Sequence, residues 1–117
     1  MDERLEKALE FSNFMVTFNN QKRVLKEKYS QDLIYYYAGA QFTVTKELIN
    51  FCYTLLSSDN TEVIILDDND LPVQISNLQE FHTNILDIYF TASNEYFNKY
   101  VALKNHRSVQ GLVEINV

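Results

Sequence analysis

The first 28 residues contain neither glycine nor proline, and this feature limits most strongly how the chain can fold. Apolar side chains recur there at spacings of three, four and seven residues, which is the period of an α-helix. They form two stripes, one from Leu5 to Val16 and one from Phe11 to Tyr29. We therefore predict an N-terminal helix over 2–28, about 40 Å long, which exceeds what a compact globule of this mass can cover.

The rest of the chain predicts two hairpins and two more helices. β-formers on both sides of Gly39 are typical of a hairpin, and Thr45 and Ser76 are suited to cap the helices that follow each hairpin. The predicted α+β order, α-ββ-α-ββ-α, contains two similar ββα segments. Their similarity indicates either an internal duplication or only the sequence pattern that is common wherever a strand leads into a helix. The elements are a helix over 2–28, a hairpin over 33–44, a helix over 45–56, a hairpin over 62–75, a helix over 76–104 and an irregular or short extended tail over 108–117.

Length and composition favour a single domain over 1–117. Apolar residues make up 46% of the 117 residues, which excludes intrinsic disorder, and no apolar run is long enough to span a membrane. The chain is acidic, with a net charge of −6 and a pI near 4.8. One cysteine and the absence of a signal-peptide pattern at the N-terminus predict a cytoplasmic protein.

The sequence lacks the parts of the common catalytic sites. Cys52 lies in an apolar stripe, which predicts a buried thiol, and His82 and His106 are too far apart to form a Cys/His zinc site with it. With two glycines in the chain, a phosphate-binding loop is not expected. We therefore predict a protein that is not an enzyme and needs no cofactor.

Two alternative functions depend on charged segments. The acidic turn 67–70 offers the clustered carboxylates that Ca²⁺ and Mg²⁺ prefer, so a metal-dependent module or enzyme, with His82 nearby, is the first alternative. Such residues are also common in tight turns. The basic residues of 22–28 suggest weak nucleic-acid binding as a second alternative, although they also complement a helix dipole, and the acidic balance favours a partner other than nucleic acid.

Aromatic residues point to protein binding. The chain has eight tyrosines and eight phenylalanines, and the triplet at 35–37 must place side chains on alternate faces of a strand. Such side chains are enriched at interface centres. We predict a non-enzymatic interaction or assembly protein that forms a homodimer, with six interface residues: Phe11, Phe14, Phe18, Tyr36, Tyr96 and Tyr100.

Three segments resemble known sequences: DERLEKALEF at 2–11, QFTVTKELI at 41–49 and YFTASNEY at 89–96. Together they are similar to small uncharacterised proteins of T4-like marine cyanophages. The resemblance carries no catalytic or binding residue. It implies a phage product made in the cytoplasm of a bacterial host, acting in assembly, as a virion accessory protein or on a host protein.

Overall fold

A computed structural model describes the backbone of residues 2–116 and the side chains of residues 2–106. The order of elements confirms the predicted α+β fold, α-ββ-α-ββ-α, with two separate two-stranded antiparallel sheets. The elements are α1 (Glu3–Asp32), β1 (Ile34–Tyr37), β2 (Ala40–Thr43), α2 (Lys46–Ser57), β3 (Val63–Leu66), β4 (Pro72–Ile75) and α3 (Leu78–Asn116).

The helix caps agree with the sequence in one case and differ in the other. The Thr45 hydroxyl accepts a hydrogen bond from the Leu48 amide, which confirms the predicted N-cap of α2. At α3 the cap is Asn77 rather than Ser76, because the Asn77 side chain accepts a hydrogen bond from the Glu80 amide at 3.1 Å. Both residue types are good N-caps, so the sequence alone did not separate the two positions.

The third helix extends beyond its predicted end near 104. The backbone of α3 continues through 108–116, where the sequence predicts an irregular or extended tail, while Val117 lies outside the described residues. Proline does not occur after Pro72, and the one glycine in this segment, Gly111, costs a helix only about 1 kcal/mol relative to alanine. The segment therefore contains no residue that must end the helix.

The chain divides into two compact units, which we describe separately. The helical unit joins the chain up to Tyr29 with the chain from Asn94 onward, and the hairpin unit is Ser30–Ser93. The single domain predicted over 1–117 stays a prediction, since a compact unit is not in itself an independently folding domain. None of the helices in the described part of the chain combines the length and apolar content that crossing a membrane requires.

The first hairpin closes with a two-residue turn. Tyr37 pairs with Ala40, and the two residues between them, Ala38 and Gly39, have φ angles of 50° and 80°. Two successive positive φ angles define the type I′ turn, whose twist matches that of paired strands. Gly39 adopts this conformation without strain, which explains why the glycine marks the hairpin in the sequence.

The core of the hairpin unit is built around the ring of Phe81. The rings of Phe42, Tyr35 and Tyr37 lie 5.3, 5.6 and 5.5 Å from it, so α3 packs on the inner side of the first hairpin. The phenol oxygen of Tyr35 accepts a hydrogen bond from the Asn84 side chain at 3.1 Å. The fully buried residues of this core are Phe42, Val44, Cys52, Ile75, Leu78, Phe81 and Ile85.

Candidate protein interface

The first helix exposes a large amount of apolar surface. The structure describes every residue of α1, and none of the thirty is buried. Five large apolar side chains within its first half are between 36% and 57% exposed, a surface that we call the α1 flank: Leu5, Leu9, Phe11, Met15 and Val16. Leu5, Leu9 and Val16 share one side of the helix, and Met15 and Phe11 lie roughly 100° and 140° around it, so the α1 flank covers nearly half of the circumference. Exposed apolar surface of this extent is typical of a binding surface rather than of a solvated helix.

The two apolar stripes of α1 have different environments. Leu25 and Tyr29 of the aromatic stripe are half-buried. At 3.6 residues per turn, Leu9 and Val16 lie roughly 150° around the helix from them, and both are exposed. The helical unit therefore leaves one side of α1 uncovered.

The three predicted phenylalanines of α1 lie in one row. The ring of Phe14 is stacked between Phe11 at 6.5 Å and Phe18 at 6.3 Å. Phe11 is exposed, whereas Phe14 and Phe18 are half-buried. The ammonium group of Lys22 lies 4.8 Å from the centre of the Phe18 ring. The row thus begins on the α1 flank and runs into the half-buried stripe.

The two predicted tyrosines of α3 are half-buried within the helical unit. Tyr96 stacks on Tyr29 of α1 with ring centres 4.8 Å apart, and beside this pair Lys28 contacts the carboxylate of Glu95 at 3.2 Å. Hydrogen bonds from Lys99 and Lys28 lower the pKa of Glu95. Tyr96 therefore already has a partner in its own chain, which makes it a weaker interface candidate than Phe11.

Tyr36 lies in the hairpin unit, whereas the other five predicted residues belong to the helical unit. Strand alternation sends Tyr35 and Tyr37 toward the core and Tyr36 outward, where it is 69% exposed. The prediction that one phenol of the triplet points outward is confirmed. The six predicted residues leave out Leu5, Leu9, Met15 and Val16 of the α1 flank, although the first apolar stripe of the sequence contains all four.

The acidic turn has a structural role. Asp67 is 8% exposed, and its carboxylate accepts hydrogen bonds from the Asn69 and Leu71 amides at 2.8 and 2.9 Å, which holds the turn between β3 and β4. Asp68 accepts hydrogen bonds from the amide and hydroxyl of Thr43 at 2.9 and 2.7 Å. Within the part of the chain that the structure describes, no three His, Cys, Asp or Glu side chains are grouped as metal ligands would be.

The Asp68 carboxylate joins the two hairpins. In addition to Thr43, Gln41 of β2 donates its side-chain amide to Asp68 at 3.1 Å, and the Asp68 amide donates to the Gln41 carbonyl at 2.9 Å. Desolvation raises the pKa of Asp68, but the hydrogen bonds from Thr43 and Gln41 outweigh it and lower the pKa below its usual value. Asp68 thus connects two sheets that share no strand ladder.

The nucleophile and base candidates are packed as core residues. Cys52 is fully buried, and burial raises the pKa of its thiol to about 11, so the reactive thiolate is disfavoured. His82 is 9% exposed and lies beside the Tyr53 ring, 6.3 Å away between ring centres. Its Nε2 atom is buried and has no hydrogen-bond partner. A general base needs a hydrogen-bonded route to a substrate, which this nitrogen lacks.

The basic residues of α1 contact groups of their own chain. Arg23 pairs with Glu27 at 3.1 Å, Lys28 contacts Glu95, and Lys22 lies over a phenylalanine ring. Surface pairs of this kind contribute little to stability, but they partly neutralise the basic segment. This arrangement weakens the case for a phosphate-binding surface on α1.

No protein-family model, curated protein or solved structure matches the chain. The resemblance to cyanophage proteins therefore stays a prediction.

Proposed function

We propose that the protein is a non-enzymatic interaction or assembly protein that forms a homodimer through the α1 flank. The observation that carries this proposal is the complete absence of buried residues along α1, all of which the structure describes, together with five exposed apolar side chains on its first half. A second copy of the chain offers the same surface. Two-fold pairing would place each flank on its equivalent, which is the commonest arrangement of homodimers.

The free energy available from this surface supports a weak dimer. Complete burial of one such side chain contributes about 1.5–3 kcal/mol, so covering its exposed half contributes about 1 kcal/mol. Five side chains from each of two copies would then contribute on the order of 10 kcal/mol before the cost of association, which is about 4–15 kcal/mol. About 6 kcal/mol remains at the lower end of that cost, so we expect a dissociation constant of roughly tens of micromolar or weaker.

The cellular setting comes from the resemblance to cyanophage proteins. It supports a phage product that acts in the cytoplasm of a bacterial host, with a host or virion protein as a further partner. The packed positions of Cys52 and His82 support a role in binding rather than catalysis.

Sedimentation velocity of the full chain, from micromolar concentrations up to about 1 mM, tests the proposal. We expect a sedimentation coefficient that rises with concentration toward that of a dimer. A single monomeric species over the whole range would overturn the proposed self-association.

A further inference from the structure

A second exposed surface lies on the hairpin unit. In β3, Ile65 points into the core, whereas Ile64 and Leu66 point outward and are 59% and 56% exposed. In β4, the outward positions are Gln74, which pairs with Ile64, and Pro72, which pairs with Leu66. Apolar side chains therefore dominate the outer side of this sheet, where polar residues are the usual choice for a solvated antiparallel strand.

The outer side of the first hairpin is connected to this sheet through Asp68. Tyr36 of β1 is outward and exposed, and it pairs with Gln41 of β2. Gln41 in turn is hydrogen-bonded to Asp68, two residues after Leu66. We define the outer hairpin face as Tyr36, Ile64, Leu66 and Pro72.

The charge of the hairpin unit indicates which partner this face suits. Ser30–Ser93 contains nine acidic residues and one basic residue, Lys46, which gives a net charge of −8, whereas the remainder of the chain carries +2. Neither lysine nor arginine occurs between Lys46 and Lys99. A potential of this sign repels nucleic acids and anionic membranes and attracts cationic surfaces.

Carboxylates also flank the apolar side chains along β3. Glu62 directly precedes β3, two positions before Ile64, and Asp68 lies in the turn that follows β3, where its carboxylate accepts hydrogen bonds from Thr43 and Gln41. Glu62 accepts a hydrogen bond from Gln74, and this contact leaves its negative charge in place.

We infer that the outer hairpin face binds an extended cationic segment of another protein, in which basic side chains flank two apolar ones. The apolar pair covers Ile64 and Leu66, and the basic side chains are attracted by Glu62 and by the net negative charge of the hairpin unit. This surface shares no residue with the α1 flank, and binding at it does not depend on self-association.

The test uses the full ¹⁵N-labelled chain and a synthetic peptide with lysine at two positions six residues apart, valine at the second and fourth positions between them and threonine elsewhere. We expect saturable amide shift changes centred on residues 36, 64 and 66, and weaker binding as salt is added. A peptide with threonine in place of valine, and one with glutamate in place of lysine, separate the apolar and charged contributions.

Ile64→Thr with Leu66→Thr removes the apolar surface and retains strand propensity. We expect this double variant to weaken binding about tenfold or more, while Phe51→Gln, which changes an exposed aromatic residue elsewhere in the same unit, leaves binding unchanged. Three results would overturn the inference: undiminished binding of the peptide with threonine in place of valine, shift changes away from the outer hairpin face, or tighter binding of duplex DNA or anionic vesicles. Loss of self-association in the double variant would also overturn it, since the face would then be an interface between copies.

Discussion

The α1 flank makes a quantitative prediction about self-association. Leu5, Leu9 and Val16 are 50%, 46% and 57% exposed, so a partner would cover about half of each side chain. Replacing all three by glutamine removes about 1 kcal/mol for each side chain. A two-fold dimer contains six of them, so the total loss is about 6 kcal/mol, which corresponds to a roughly 10⁴-fold increase in the dissociation constant.

Sedimentation velocity and thermal unfolding at several concentrations measure this effect. We expect the wild-type melting temperature to rise with concentration, because dimerisation stabilises the folded state, and the triple variant to remain monomeric with a constant melting temperature. Glutamine has nearly the helix propensity of leucine, so the monomer should stay folded. Val24→Gln, an exposed α1 residue outside the flank, is the matched control. A triple variant that dimerises like the wild type would refute the reasoning.

Four further predictions concern the hairpin unit. Hydrogen bonds lower the pKa of Asp68 in the folded chain. Its contribution to stability is therefore present above the pKa of the unfolded chain, near 3.9, and is lost as the pH falls through the folded pKa. Asp68→Asn should lower the free energy of unfolding by about 1 kcal/mol in urea at pH 7 and by much less at pH 2. The buried Cys52 thiol, with its pKa raised to about 11, should react with a thiol reagent at pH 8 only after unfolding in guanidinium, and rapid native labelling would contradict this. His82→Phe removes a buried nitrogen without a partner and should stabilise the fold by about 1 kcal/mol in the same urea assay, whereas destabilisation would mean that the ring makes a needed contact. Calorimetric titration with Ca²⁺, Mg²⁺ or Mn²⁺ should give no saturable heat, while a clear binding isotherm would restore the metal alternative for the acidic turn.

Local patterns in the sequence were sufficient to predict the fold class. The helical stripes, Gly39 in a two-residue turn and the Thr45 cap each act through neighbouring residues, and each lies where it was predicted. Pro72 begins β4, as expected for a residue without an amide hydrogen. The end of α3 was harder to predict because Gly111 only weakens a helix.

The candidate interface was less predictable because exposure depends on tertiary packing. Phe11, Phe14 and Phe18 share one stripe in the sequence, yet Phe11 is exposed and the other two are half-buried. The acidic turn illustrates the same limit, since the partners of Asp68 lie about 25 residues earlier in β2. Periodicity identifies which residues share a face, but it does not identify what covers that face.

The link through Asp68 has a consequence for how the hairpin unit opens. β1–β2 and β3–β4 share no ladder, so outside the common core they are connected by the bonds to the Asp68 turn and by the Ser76 amide, which donates to the Tyr37 hydroxyl at 3.4 Å. The Thr43 amide donates to the Asp68 carboxylate, and the Asp68 amide donates to the Gln41 carbonyl. Transient separation of the sheets would expose both amide protons to solvent together, while the amide protons within each ladder stay protected. Hydrogen–deuterium exchange would therefore detect separation of the hairpins as an event distinct from global unfolding.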